Sequence, residues 1–193
     1  MNGDIIERAK EYIASLLGAD AGGHDPGHAL RVYGNALRIR EAEGEGDEEI
    51  IALAALLHDA DDHKLFRTEN DENARRFLSA NGVPPKRADR ICEAIDGVSF
   101  SRNRGRRPAS IEGRIVQDAD RLDAIGAVGI ARAFAFGGAR GRRMSDSVRH
   151  FHEKLLLLKD EMNTQTGRAM AEARHAFMLA YLEELAREWR EDP

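Results

Sequence analysis

Apolar and polar positions alternate along this chain with a helical period, while the period-two runs that mark strands are nearly absent. Residues 4–17 read as an amphipathic helix that stops at Gly18. The loop "GADAGGHDPG" follows, with Asp25 placed to cap a helix over 27–43 and Pro26 at its first position. After the turn "EGEGD", Asp47 caps a third helix that ends near His58. Residues 59–68 are irregular. Helices follow over 69–80, up to "NGVPP", and over 85–96. Beyond the basic loop "SFSRNRGRRPAS", Ser110 caps a long helix over 111–136, kinked near Gly126 or Gly129. The stretch "GGARGRR" breaks it, and two helices over 146–162 and 167–190 close the chain. There is no repeat, no low-complexity tract and no linker long enough to divide domains. The expectation is an all-α, single-domain bundle over residues 1–193.

The stretch "IALAALLHDADDHKLF", residues 51–66, runs through seven apolar residues and then meets His58, Asp59, Asp61, Asp62, His63 and Lys64. Charged groups are costly to bury unless paired, hydrogen-bonded or bound to metal. Helical spacing puts His28 with Val32, Ala36 and Ile39, and His58 with Ile51, Ala54 and Ala55. It puts Asp118 on a stripe with Ile111, Ile115, Leu122 and Ile125. Asp59, at a helix end, can turn toward the same point. Two imidazoles and two carboxylates, His28, His58, Asp59 and Asp118, suit one borderline divalent ion such as Mn²⁺, Fe²⁺, Co²⁺, Ni²⁺ or Zn²⁺. The absence of a thiolate argues against a structural zinc site, and four protein ligands leave a six-coordinate ion open to water or substrate. Asp120 falls on the opposite helix face from Asp118 and is read as no ligand.

Composition narrows the partners. The formal net charge of −5 gives no whole-surface attraction to nucleic acid or anionic lipid. The single cysteine, Cys92, sits among apolar residues and reads as a core thiol. The N-terminal stretch mixes charges among its apolar residues, unlike a signal peptide, and no apolar run reaches the about 20 residues of a membrane span. A cytoplasmic protein without a membrane partner is the expectation, as monomer or homodimer.

The spaced residues His28, His58-Asp59 and Asp118 resemble the metal-binding signature of the HD-domain phosphohydrolase superfamily. The blocks "HDPGHALRV", "ALLHDADDHK" and "VQDADRLDAIGAVGIARAFAFGG" look like those of its YedJ-like and YpgQ-like branch. The resemblance implies an HD-type helical bundle with its metal site between core helices, a core motif region over 24–138 and closing helices over 146–190. Similar sequences read "HSFS" where this chain reads "VSFS", so Val98 stands in place of a histidine, which favours a single metal.

The resemblance further implies one divalent ion (Mn²⁺, Co²⁺, Ni²⁺, Fe²⁺ or Mg²⁺) and hydrolysis of a small phosphorylated molecule, a nucleotide foremost. Asp62 either matches the acid that orients or deprotonates the attacking water or is a helix cap or solvated loop acid, and Lys64 either binds phosphate or pairs with Asp61 or Asp62. His24 either lines the entrance or assists the metal. Arg102 and Arg104, in the basic loop, suit a bidentate grip on a di- or triphosphate, or belong to a solvated loop. Arg121 and Asp123 either pair within the site, with Arg121 binding substrate, or brace the loops. The leading reaction is conversion of a nucleoside triphosphate to monophosphate and pyrophosphate. The alternatives are a 5′-nucleotidase or other phosphomonoesterase on the same site, and a sensor that holds metal and nucleotide without turnover. Nucleic acid is disfavoured because only Phe100 interleaves the basic run.

Overall fold

The computed structural model describes residues 2–18, 26–63, 65–98, 103 and 106–190. Among them the chain forms nine α-helices and one 3₁₀ segment, and no strand. The all-α expectation is met. In order these are α1 (Asn2–Leu17), α2 (Pro26–Glu43), α3 (Glu48–Leu57), α4 (Glu72–Ala80), α5 (Pro85–Asp96), α6 (Ile111–Asp123), α7 (Gly126–Ala139), α8 (Met144–Glu153), the 3₁₀ segment (Leu155–Glu161) and α9 (Gln165–Arg190). Two compact units divide the chain after Asp120, within α6.

In the unit of residues 1–120, α3 is the axis. Every residue from Ile50 to Leu57 is buried, so the helix is apolar on all faces and must be surrounded. It packs against α1, α2 and α5. Asp47 caps it as expected, its carboxylate accepting from the Ile50 N–H at 3.3 Å. Burial works against ionisation of Asp47, but the Ile50 hydrogen bond and the Arg87 charge outweigh it and hold the carboxyl below its ordinary range. Arg87 bridges Asp47 at 2.7 Å and Glu49 at 2.8 Å. Glu112 of α6 accepts from the Asp47 N–H and from Arg90 of α5. The turn before the cap needs Gly46, at φ +93°, where a Cβ would stand 2.9 Å from Ile51 Cδ1. Cys92 is a buried core thiol, pushed up to about 12 by burial and by the charge of Asp71.

In the unit of residues 121–193, α7 packs on α8 and α9, and the 3₁₀ segment on both α8 and α9. Phe134 meets Phe151 and Tyr181, with ring centroids 5.8 and 6.1 Å apart. Three expected helices differ here and earlier. The helix expected over 111–136 is two, because Ile125 is extended and Gly126 stands at φ +76° with the Arg174 side chain against it. The helix expected over 146–162 leaves α geometry at Lys154, and Leu155 and Leu158, three apart, are buried as a 3₁₀ turn stacks them. The helix expected from 69 starts at Glu72, because Asn70 and Asp71 take positive φ. Phe177 and Leu179 of α9 are exposed, whereas Leu182 is buried. No single helix among the described residues is long and apolar enough to cross a membrane.

Candidate metal centre

Three helices of the first unit bring polar side chains to one point. Pro26 opens α2, and His28 follows within its first turn, on the buried face that continues through Val32, Ala36 and Ile39. His58 closes α3 as its C-cap, where the helix end leaves carbonyls unpaired. Its Nδ1 lies 2.9 Å from the Ala55 carbonyl oxygen, which only an N–H can satisfy. That contact assigns the proton to Nδ1 and leaves Nε2 with a free lone pair, the arrangement of metal-ligating histidines. The helix then gives way to a turn, and Asp59 comes back toward both imidazoles.

The His28 and His58 Nε2 atoms are 3.1 Å apart, with the rings edge-on at 74°. Asp59 Oδ2 lies 3.6 Å from His28 Nε2, and Asp59 Oδ1 lies 3.4 Å from His58 Nε2. Asp120 Oδ1 lies 3.3 Å from His28 Nε2 and 3.9 Å from His58 Nε2. One donor atom each from His28, His58 and Asp120 falls within 4.8 Å of the others. Ligands about 2.1 Å from an ion stand roughly 3 Å apart when adjacent and about 4 Å when opposite, so these separations fit a single ion. The four groups include no guanidinium or ammonium, and two of them are carboxylates drawn out of bulk water. A divalent cation satisfies such a set. Asp120 is the most exposed of the four, its side chain 24% accessible against 3–10% for the others, so the set opens to solvent on its side. Burial opposes ionisation of Asp120, yet its contact with His28 and the nearness of His58 hold its carboxyl below the ordinary range.

The structure brings Asp120, which the sequence reading set aside in favour of Asp118, to the imidazoles, and the ligand role on α6 is therefore proposed for Asp120. Asp118 is fully buried, but the group that α6 presents to the imidazoles is Asp120. The apolar stripe misled because α6 is buried all round here, with Ile115, Val116, Gln117, Asp118 and Ala119 wholly inaccessible. A helix enclosed on every side has no unique inward stripe. Asn35 of α2 donates to the Ala119 carbonyl, which fixes the edge of α6 that faces α2.

Asp62 is largely buried, its side chain 14% accessible, and lies 3.7 Å from His63 Nδ1. Its carbonyl receives the Leu65 and Phe66 N–H groups. Asp61 accepts from the Asn73 and Ala74 N–H groups at the start of α4. Arg121 is buried in the second unit and donates to the Glu161 carbonyl, with the Glu161 carboxylate at 3.2 Å. Asp123 receives Arg132. Of the two alternatives, these contacts are those of bracing. His24, Lys64, Arg102 and Arg104 lie outside the described residues. Gln117, which drew no attention in the sequence, is fully buried and donates to the Gly97 carbonyl at 2.6 Å, tying the chain after α5 to α6. An amide directly after Ile115 and Val116 was the signal that could have found it, since buried amides are hydrogen-bonded. Val98 is buried.

Comparison with known proteins agrees with this geometry. The HD domain family matches residues 27–125. The chain is 44% identical to YpgQ of Bacillus subtilis over 191 residues, covering 94% of this chain and 92% of YpgQ. The crystal structure of that YpgQ in complex with ADP superposes with a TM-score of 0.82 at 42% identity, covering 95% of this chain and 97% of the other. An HD-superfamily hydrolase from Bacillus thuringiensis gives 0.83 at 38% identity, with both chains fully covered. With its histidines and aspartates convergent and its whole length matched, this chain belongs to the HD-domain family, in its YpgQ-like branch.

Proposed function

We propose that this protein is a metal-dependent nucleotide phosphohydrolase that converts nucleoside triphosphates to monophosphates and pyrophosphate. The observation that carries the reading is the convergence of His28, His58, Asp59 and Asp120 on a single point open to solvent. The ADP bound in the YpgQ crystal structure supports a nucleotide as the ligand. His28, His58, Asp59 and Asp120 hold one divalent ion, and residues 1–193 act as one HD-type domain. The bound ion supplies a water acidified toward neutral pH and polarises a phosphoryl oxygen.

The protein's own part is positioning and proton management. The Ala55 carbonyl keeps the His58 proton on Nδ1, so Nε2 stays available. Asp62, four residues past His58, accepts the proton of the attacking water. Water attacks the α-phosphorus, the bond to the bridging oxygen breaks, and pyrophosphate leaves with that oxygen. Lys64, Arg102 and Arg104 bear on the β and γ phosphates as point charge and forks, and His24 lines the entrance.

The test is a product assay. Purified protein is incubated with nucleoside mono-, di- and triphosphates and with Mn²⁺, Co²⁺, Ni²⁺ or Mg²⁺ in turn. Monophosphate plus pyrophosphate is the expected result. Nucleoside plus inorganic phosphate would make it a phosphomonoesterase. Bound metal and nucleotide without any product would make it a sensor.

A further inference from the structure

The stretch that carries Asp59 and Asp62 lies beyond the end of α3 and is held along its own backbone only by turns. The Ala60 N–H reaches the Leu57 carbonyl at 2.9 Å, and the Asp62 N–H reaches the Asp59 carbonyl at 3.2 Å. Turns of this kind set the backbone only locally, so where they carry Asp59 depends on contacts made from outside them.

The start of α4 supplies that restraint. Asp61 Oδ1 accepts from the Asn73 N–H and Oδ2 from the Ala74 N–H, both at 3.0 Å, so a carboxylate from the turn satisfies two donors of the first helical turn. The Asn73 side chain adds a third bond in the same direction, its Nδ2 donating to the Ala60 carbonyl at 2.9 Å, one peptide after Asp59. Asn73 is buried, and its own carbonyl accepts from the Tyr12 hydroxyl of α1 at 3.2 Å. The αL residues Asn70 and Asp71 turn the chain into α4 just before these donors, and Arg75 Nε holds the Asn70 carbonyl at 3.1 Å. The helix's nominal cap, Asp71, makes no side-chain capping bond, so the capping is done from the metal-site turn. All three hydrogen bonds are donated by the start of α4 to the turn, two from backbone N–H groups and one from the Asn73 side chain, so the turn is held at both Ala60 and Asp61.

We infer that Asp61 and Asn73 are positioning residues for the metal centre, clamping the Ala60 peptide so that Asp59 meets both imidazoles. This rests on the metal-site reading above and adds the device that sets its geometry. Neither residue touches the ion or the substrate; both act through the backbone that follows Asp59.

The full-length protein is titrated with Co²⁺, followed by its visible absorption, for the wild type and for Asn73→Ala, Asp61→Asn and Leu78→Ala. Leu78 is a fully buried α4 residue outside the clamp, so its variant reports loss of stability alone. Asn73→Ala is expected to weaken Co²⁺ binding at least tenfold, in the range of lost outer-shell partners, and to shift the absorption bands. Asp61→Asn keeps one acceptor oxygen and is expected to weaken binding about threefold. Leu78→Ala is expected to lower Tm at least as much as Asn73→Ala while keeping the wild-type Kd and spectrum. Wild-type Kd and spectrum in Asn73→Ala and Asp61→Asn would overturn the inference and leave the metal site standing. Should Asn73→Ala not fold, Asp61→Asn with an unchanged Kd overturns it equally. A wild type that takes up no Co²⁺ would overturn the metal reading and this inference together.

Discussion

The two ends of α3 are both polar, and they are built on opposite principles. At the start, each acid faces a guanidinium at 2.7–2.9 Å: Asp47 and Glu49 face Arg87, and Glu112 faces Arg90. At the finish, two imidazoles and two carboxylates face one another at 3.1–3.9 Å. The first cluster is complete as it stands, since each of these three carboxylates meets a guanidinium, with Arg87 serving two of them. The second set gains from a cation, because its lone pairs point inward. The contrast separates a structural network from a ligand set in one helix, where counting charged residues would have equated them.

The comparison breaks most sharply at the ligand end. Asp59→Ala should lower divalent-metal affinity by more than 100-fold, beyond the about 10–100-fold typical of outer-shell changes, and abolish nucleotide turnover with the helical circular dichroism intact. Full activity in a metal-depleted Asp59→Ala protein would sink the mechanism. Next in size is the choice within α6. Asp120→Asn should weaken metal binding by about 100-fold and Asp118→Asn by less than tenfold, on the scale of ligand and outer-shell losses. Isothermal titration of both variants decides it, and the reverse order would return the ligand role to Asp118.

At the paired end the effects belong to stability. Asp47→Ala should cost about 1–2 kcal/mol through loss of the N-cap and its arginine, with metal affinity unchanged in the same titration. Because the Asp47 carboxyl is held below its ordinary range, this contribution is present above the unfolded value of 3.8. It fades as pH falls through the lower folded value, so urea midpoints of wild type and variant should converge in acid.

The smallest effect sits at the turn into α4. Burial pushes the Asp71 carboxyl up to about 6, with the charges of Asp96 and Asp61 adding to it and Arg75 and Cys92 opposing. A raised carboxyl contributes stability in full below 3.8 and loses it as pH rises through 6. Asp71→Asn should therefore stabilise the protein at pH 7 by about 1 kcal/mol after allowance for solvent screening. Asparagine also tolerates the αL backbone that Asp71 adopts at φ 53°. Urea denaturation should show the gain shrinking toward pH 4; an equal gain at both pH values would remove the electrostatic cause.

Helix existence and several helix starts were legible in the chain, because they depend on neighbours a few residues apart. Asp47 caps α3 and Pro85 opens α5 where local chemistry places them. His28 and His58 were legible as an odd pair on apolar faces, and Asp59 by adjacency. The interruption near Gly126 was legible as a kink, but its becoming a full break at Ile125 depends on Gly126 standing beside Arg174, and the break at Lys154 was not placed because it depends on which leucines find cover.

The periodicity, the turn residues and the HD signature, all short-range or direct in the order of residues, made this an all-α chain of the HD family with imidazoles and carboxylates at helix ends. Which aspartate of "DAD" reaches the imidazoles was settled only in three dimensions. Helix α6 is buried on all sides, so its rotation follows from Asn35 holding the Ala119 carbonyl and from packing on every face. The same holds for Asp61, which looked like one more exposed acid until α4, eleven residues downstream, brought two N–H groups to its carboxylate.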